Sequence, residues 1–560
     1  MTYPGPGSSV IFPSGANARL ANNVDILSVS INQDAELAFT AGTLLLRNPN
    51  NNAAGTLTNA GVFRLPGTGS SRVLSGSVAN TGRLRHEANR LNWEGATLQS
   101  SGAIELLSGD WYNYSGTNLA RNTGTVSKSG TGTFTIYVPF DNQGRVSVQG
   151  GELQVSGGGT SGSGGVWNVG ANGVLTFVSH TLSGSHTGSV QGQARLAGTL
   201  TIAAQGATLN LSGNGLAFVS GTLNAEGALT NAGVFRLPSS TAYRYLSGSV
   251  ANTGTLRHEA NNLRWNGATL QSSGAIELLS GNWYNNSGTN LARNTGTLAK
   301  LSTSSFSIGF RVENAGLIDY REGSLSINRL VQTDGETRIH KGRTLSLSNP
   351  MELQGGKLTG AGTLSSNLNQ TGGVIAPGID DPDNPNLNPL GILTLNGNLT
   401  MGQDAVLEIE LAGTDNSDPE NPQYDRVNIS RYNAAVQLNG TLRLKGRGDY
   451  VPSVGDAYDI IVRTASSWNR TGQFRVVEVS ELAGCPIVEV QYLADRVRVV
   501  VVSLERSPDI NRDGCVDDSD LLAVLFGFGS EGNSAEDINC DGVVDDSDLL
   551  SVLFAFGQGC

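Results

Sequence analysis

The sequence predicts a mainly β protein: a long parallel β-solenoid (a β-helix), closed by a β-rich cap and followed by a small α-helical tail. Three observations carry this. Glycine makes up 74 of 560 residues, roughly twice the ~7% average share. Charged residues are only 15%, with five lysines in the whole chain, too few for the exposed faces of a mainly helical protein. The third observation is a long internal repeat, which calls for a stacked-coil architecture before any other. At 560 residues the chain exceeds one compact core. Its most apolar stretches, such as Val497–Leu504, run to about eight residues, and a membrane helix needs about 20, so no membrane span is expected.

Residues 1–372 form the predicted solenoid. Within them 57–128 match 229–300 at 58 of 72 positions, without a gap, at an offset of 172. The duplicated blocks extend over about 55–158 and 227–330. A finer period runs inside them. Gly61, Gly82, Gly102, Gly124 and Gly144 each follow a small polar pair, and Gly233, Gly254, Gly274, Gly296 and Gly316 repeat the series. Two residues after each glycine of the first block stands an apolar side chain: Phe63, Leu84, Ile104, Val126 and Val146. Two further on come Leu65, His86, Leu106, Lys128 and Val148. This is strand alternation restarted about every 21 residues by a turn. One such coil cannot bury its apolar face alone; stacked coils do so by aligning these positions into inward ladders. About 18 coils at a ~4.8 Å strand spacing are expected. Asn and Gly at the corners are expected to supply left-handed backbone. The pattern is similar to the repeats of secreted bacterial β-helix proteins, including autotransporter-type adhesins.

Residues 373–506 read as the last coils and a β-cap, because an open strand edge recruits other chains. Ala376-Pro377-Gly378 opens the region, and segments such as Leu407–Leu411 and Gly440–Leu444 follow. It resembles the closing region of such secreted solenoids. Its acidic insert, with Asp380, Asp381 and Asp383, reads as a solvated loop, with cation binding as the other reading. The strands are expected to end near Arg496–Leu504.

The tail, 507–560, holds nearly all the net charge. It has twelve acidic residues and one basic, Arg512, whereas the whole chain carries −12. The remaining body is close to neutral and offers nucleic acid no long-range attraction. The acids are ordered. Asp509, Asn511, Asp513, Cys515, Asp517 and Asp520 occupy positions 1, 3, 5, 7, 9 and 12 of a loop. Asp537, Asn539, Asp541, Val543, Asp545 and Asp548 repeat it 28 residues later. Ca²⁺ wants six to eight hard oxygens in flexible geometry, and an EF-type loop supplies them at these positions. Position 7 gives only its carbonyl, so Cys515 and Val543 fit. Gly514 and Gly542 sit at the sharp turn of position 6. Position 12 is Asp in both copies, where the EF-hand has Glu. Two Ca²⁺ ions are therefore expected.

Asp at position 12, a following Leu-Leu helix and two copies at the chain end resemble the type I dockerin family. The resemblance implies one Ca²⁺ per loop and docking onto a cohesin-like or cell-surface protein. It places Asp518-Ser519 and Asp546-Ser547 at the contact. The helices 523–528 and 551–556 lack the Lys-Arg pair of cellulosomal dockerins, which points away from a standard cellulosomal cohesin. Cys515 and Cys560 bracket the module and are the expected disulfide among Cys485, Cys515, Cys540 and Cys560, a set suited to an oxidising compartment. An extracellular or cell-surface location is expected, with this sequence starting downstream of a signal peptide: Met1–Pro6 has neither a basic nor an apolar leader segment.

No catalytic residues stand out in the body. His86 and His258 recur once per block and fall in the register of ladder leucines, so they are read as hydrogen-bonded core groups. His180, His186 and His340 show no partner spacing. Trp111-Tyr112 and Trp283-Tyr284 read as core or corner packing, with stacking on a carbohydrate as the other possibility. The overall reading is a non-catalytic scaffold or adhesin tethered by its tail. The alternative is a polysaccharide-active hydrolase or lyase carried by the same tail, which needs clustered carboxylates in a groove.

Overall fold

A computed structural model of the chain describes residues 7–48, 54–67, 70–87, 89–380, 388–484, 486–504, 506–531, 534–540 and 542–560. Strands account for 59% and helix for 4%, and the strands wind into a β-solenoid of about 17 turns. Contacts divide the chain into two units, Met1–Thr297 with Phe306–Phe310, and Leu298–Ser305 with Arg311–Cys560.

In the first unit the 21-residue period becomes parallel register. Strands Val62–Leu65, Arg83–His86, Ala103–Leu106, Thr125–Lys128 and Arg145–Val155 stack in sequence. Phe63, Leu84, Ile104, Val126 and Val146 lie one above another, and all are buried. Leu65, His86, Leu106, Lys128 and Val148 form the second buried column. Burying each large apolar side chain contributes roughly 1.5–3 kcal/mol. Lys128 interrupts its column with a cation. Its Nζ donates to the carbonyls of Ser129 (2.8 Å), Gly130 (3.2 Å) and Gly150 (3.2 Å), and burial lowers its pKa.

The corner residues differ from expectation. Gly82, Gly102, Gly124 and Gly144 are not left-handed; they form a column in which backbone touches backbone. A Cβ on Gly102 would stand 2.2 Å from the Gly82 carbonyl oxygen, and one on Gly124 would stand 2.3 Å from that of Gly102. The glycines are therefore set by close approach. The asparagines beside them are buried rungs rather than left-handed corners. Asn59 Nδ2 donates to Asn80 Oδ1 (2.6 Å), Asn80 to Ser100 Oγ (2.9 Å) and Asn122 to Asn142 Oδ1 (2.8 Å). The second block repeats the ladder at Asn231, Asn252 and Ser272 (2.7 and 3.0 Å).

In the second unit parallel stacking continues from Leu317–Tyr320 to Val476–Glu481. It then gives way to antiparallel pairing. Ala457–Arg463 pairs with Arg496–Ser503, which pairs with Ile487–Tyr492. These three strands form an antiparallel group, and Asp459 ties it by accepting from Arg496 (2.8 Å) and Arg498 (2.7 Å). Asp380 is ion-paired with Arg447, while Asp381 and Asp383 lie outside the described residues. No helix among the described residues is long and apolar enough to cross a membrane.

Candidate functional site

The tail is built twice over. Helix α1 spans Asp518–Gly527 and α2 spans Asp546–Ala555. Each starts with a capping box: Asp517 and Asp545 accept from the helix, and Asp520 and Asp548 at the third helical position reach back. Val516, Val524, Ile538, Val544, Val552 and Ala555 form one core, with Ile510, Leu521 and Leu549 packed on it. The two halves exchange strand-like contacts. Gly529 N–H donates to Val544 O (2.8 Å), and Gly557 N–H donates to Val516 O (2.8 Å). Cys515 is bonded to Cys560, with Cα atoms 4.6 Å apart. Cys540 is disulfide-bonded too; Cys485 lies outside the described residues.

Each loop is shaped by its own carboxylates. In the first, Asp509 accepts from Asp513 N–H (3.2 Å) and Gly514 N–H (3.0 Å). Asn511 Oδ1 accepts from Asp513 N–H (2.9 Å), and Asp513 Oδ1 accepts from Cys515 N–H (2.9 Å). Asp520 closes the loop, accepting from Ile510 (2.7 Å), Asn511 (3.1 Å) and Asp517 (3.0 Å). Burial works against its charge, but these N–H groups outweigh it and hold the carboxyl below its ordinary pKa. In the second loop Asp548 accepts from Ile538 (2.6 Å), Asn539 (3.0 Å) and Asp545 (2.9 Å), and Asp537 accepts from Gly542 (3.2 Å). Val543 bridges to Glu531. Asp541 lies outside the described residues. Gly514 and Gly542 have φ of +92° and +93°, as the sixth position requires. Position 4 is left-handed as well, at Arg512 (φ 61°) and Cys540 (φ 60°), which sequence reasoning did not single out.

The donor set suits a hard divalent cation: an ordered series of side-chain oxygens on a hairpin. A carboxylate oxygen bonded to one N–H keeps a further lone pair for an ion. Among the described residues, no three His, Cys, Asp or Glu side chains stand together as a metal cluster.

No protein-family model matches this chain. No curated protein matches it either.

In the body, the histidines find partners one coil away. Trp111 Nε1–H donates to His86 Nδ1 (3.2 Å), while His86 Nε2 meets Asn89 O (2.9 Å). Trp283 and His258 repeat this at 3.0 Å, with Nε2 on Asn261 O at 2.8 Å. Trp167 and His186 make a third pair (3.4 Å). His180 meets Ser161 Oγ (2.9 Å), and burial lowers its pKa to about 4. His340 Nε2 meets Asp319 Oδ1 (2.8 Å). The partners of His180, His186 and His340 lie 19, 19 and 21 residues away. That separation is the coil period, and it is the signal that reveals them.

The strand-face acids are held by arginines. Glu87 binds Arg64 (2.7 Å) and Arg85 (3.0 Å), Glu105 binds Arg83 (3.2 Å), and Glu259 binds Arg236 (2.6 Å). The hydrogen bond from Arg64 holds Glu87 below the usual carboxylate range. A cleft of about 520 Å³ in the second unit is lined by His340, Lys341, Arg343, Glu322 and Glu420 among others. Its ions pair across it, Lys341 with Glu420 (2.9 Å) and Arg343 with Glu322 (3.0 Å). Trp111 and Trp283 are core residues, whereas their neighbours Tyr112 and Tyr284 face outward.

Proposed function

We propose that this protein is a non-catalytic extracellular or cell-surface scaffold, an adhesin-like solenoid held in place by its tail. The tail is a calcium-dependent, dockerin-like docking module for a cohesin-like or other cell-surface protein. One Ca²⁺ would be held by Asp509, Asn511, Asp513, Asp517, Asp520 and the Cys515 carbonyl. The second would be held by the matching set Asp537, Asn539, Asp541, Asp545, Asp548 and the Val543 carbonyl. The ion's chemistry is structural: it neutralises acids that otherwise repel one another, and so fixes the helices.

The observation that carries this reading is a pair of matching exposed faces. Phe526 is 85% exposed and Phe554 is 83% exposed, and Leu522 with Leu525 and Leu550 with Leu553 stand beside them. Asp518, Ser519, Asp546 and Ser547 are exposed at the start of the same helices. Bare aromatic and leucine side chains in such a small module mark a protein contact.

The test is calorimetric titration of the full chain with CaCl₂, followed by affinity capture of secreted proteins with and without chelator. Two bound ions are expected, together with a captured protein that chelator and the Phe526→Ser/Phe554→Ser double variant both release. A chain that takes up no calcium, or capture indifferent to both changes, overturns the reading.

A further inference from the structure

The two duplicated blocks differ at fourteen of their 72 aligned positions, and the differences are not spread evenly. Seven stand on one wall: Ser71/Tyr243, Val73/Tyr245, Arg90/Asn262, Asn92/Arg264, Glu94/Asn266, Asp110/Asn282 and Tyr114/Asn286. Four more lie in the segment leading into it, 67–70 against 239–242. The ion-paired wall changes at one ion-paired residue, Arg83/Thr255, while Arg64/Arg236, Arg85/Arg257, Glu87/Glu259 and Glu105/Glu277 are identical.

The substitutions change the chemistry of that wall. In the first block Arg90 stacks on Tyr112 (4.3 Å) and is neutralised by Asp110 (2.9 Å). Tyr112 is also covered from the next coil by Tyr137, their rings 6.0 Å apart. In the second block Tyr245, Arg264 and Tyr284 sit on successive coils in register. The Arg264 guanidinium lies 4.3 Å from the Tyr243 ring, 5.7 Å from Tyr284 and 5.9 Å from Tyr245. Both acids of this wall, Glu94 and Asp110, have become asparagines, and Arg264 forms no ion pair among the described residues. The residue matching Tyr137 is Gly309. Tyr284 is consequently 53% exposed where Tyr112 is 37%. Amides flank the rings: Asn282 donates to Asn262 (2.7 Å) and Asn286 to Asn266 (2.8 Å).

We infer that this wall, centred on Tyr243, Arg264 and Tyr284, is a binding face for an acidic polysaccharide, one whose sugars carry carboxylates. Tyrosine faces stack on the C–H faces of sugar rings. The asparagine amides suit hydroxyls as donors and acceptors. A guanidinium without an acid partner takes a carboxylate through two parallel N–H bonds. The coil spacing of ~4.8 Å is close to the length of one pyranose residue, so successive rungs meet successive sugars.

The test is titration of the full chain with a galacturonate hexamer, and with a glucose hexamer as the neutral probe, at low salt. The galacturonate oligomer is expected to bind at least tenfold more tightly than the neutral one. Arg264→Gln and Tyr284→Ala are each expected to weaken it at least fivefold, and Arg90→Gln in the first block to change it less than twofold. Asn286→Asp, which places an acid beside Arg264 without removing any packing, is expected to abolish the preference for the acidic oligomer. The proposal is overturned if neither oligomer binds, if both bind equally, or if Asn286→Asp leaves the preference intact.

Discussion

Trp283 donates its indole N–H to Nδ1 of His258 across 3.0 Å, bringing together residues 25 apart in sequence. Because Nδ1 accepts this bond and Nε2 faces the Asn261 carbonyl at 2.8 Å, the ring is held as one neutral tautomer. Burial accordingly lowers the His258 pKa to about 4.

Stability should therefore depend on pH. The unfolded imidazole takes a proton below ~6.5, whereas folded His258 and His180 do so only near 4. Their contribution is complete above pH 6.5 and is lost as pH falls toward 4, by roughly 3 kcal/mol at most for each. Thermal melts between pH 7.5 and 4.5 should show a falling midpoint, with a shallower fall in His258→Phe. Identical slopes for wild type and variant would refute the link.

The glycine column makes a sharper claim. Gly102→Ala puts a methyl group 2.2 Å from the Gly82 carbonyl oxygen, so backbone must move, at a cost of about 2 kcal/mol or more. Gly170→Ala, whose nearest neighbour is 3.6 Å away, should fall within about 0.5 kcal/mol of wild type. Urea unfolding midpoints separate the two; equal midpoints would mean that the coils yield more readily than their spacing implies.

Calcium should bind the loops one by one. Asp513→Ala removes a side-chain oxygen from the first loop only, so stoichiometry should drop from two ions to one by calorimetry. Chelator should lower the tail's melting temperature in wild type, and by less in this variant. Two ions still bound by Asp513→Ala would count against the first loop.

The Cys515–Cys560 bond closes a separation of 45 residues. In the chain-entropy account such a bridge is worth about 3–4 kcal/mol. The Cys515→Ser/Cys560→Ser double variant should lower the tail's stability while keeping calcium binding, since position 7 offers only its carbonyl. Lost binding at saturating calcium would show that the bridge shapes the loop itself.

Much of this was legible beforehand. The columns through Phe63 and Leu65 follow from alternation and period alone, and the tail's two matching helices follow from the repeat that ends in Asp520-Leu-Leu and Asp548-Leu-Leu. The role of Gly102 was not, because a left-handed corner and a close backbone approach both demand glycine and leave the same trace. The exposure of Tyr284 beside buried Trp283 was within reach: in the matching block Trp111 shares a register with ladder residue Leu91, so its neighbour must face out. The wall at Arg264 was hidden because a duplication draws the eye to identities, and its information lies in the fourteen differences.

The columns of Gly102 and Gly274 have a further consequence. Each rung offers the next the same surface it received, so the coil lattice has no privileged joint. Excising residues 125–296 would join Gly124 to Thr297 and recreate the native Gly-Thr step found at both sites. A solenoid of this kind can gain or lose coils by recombination in whole blocks, because the seam restores a step that the chain already contains.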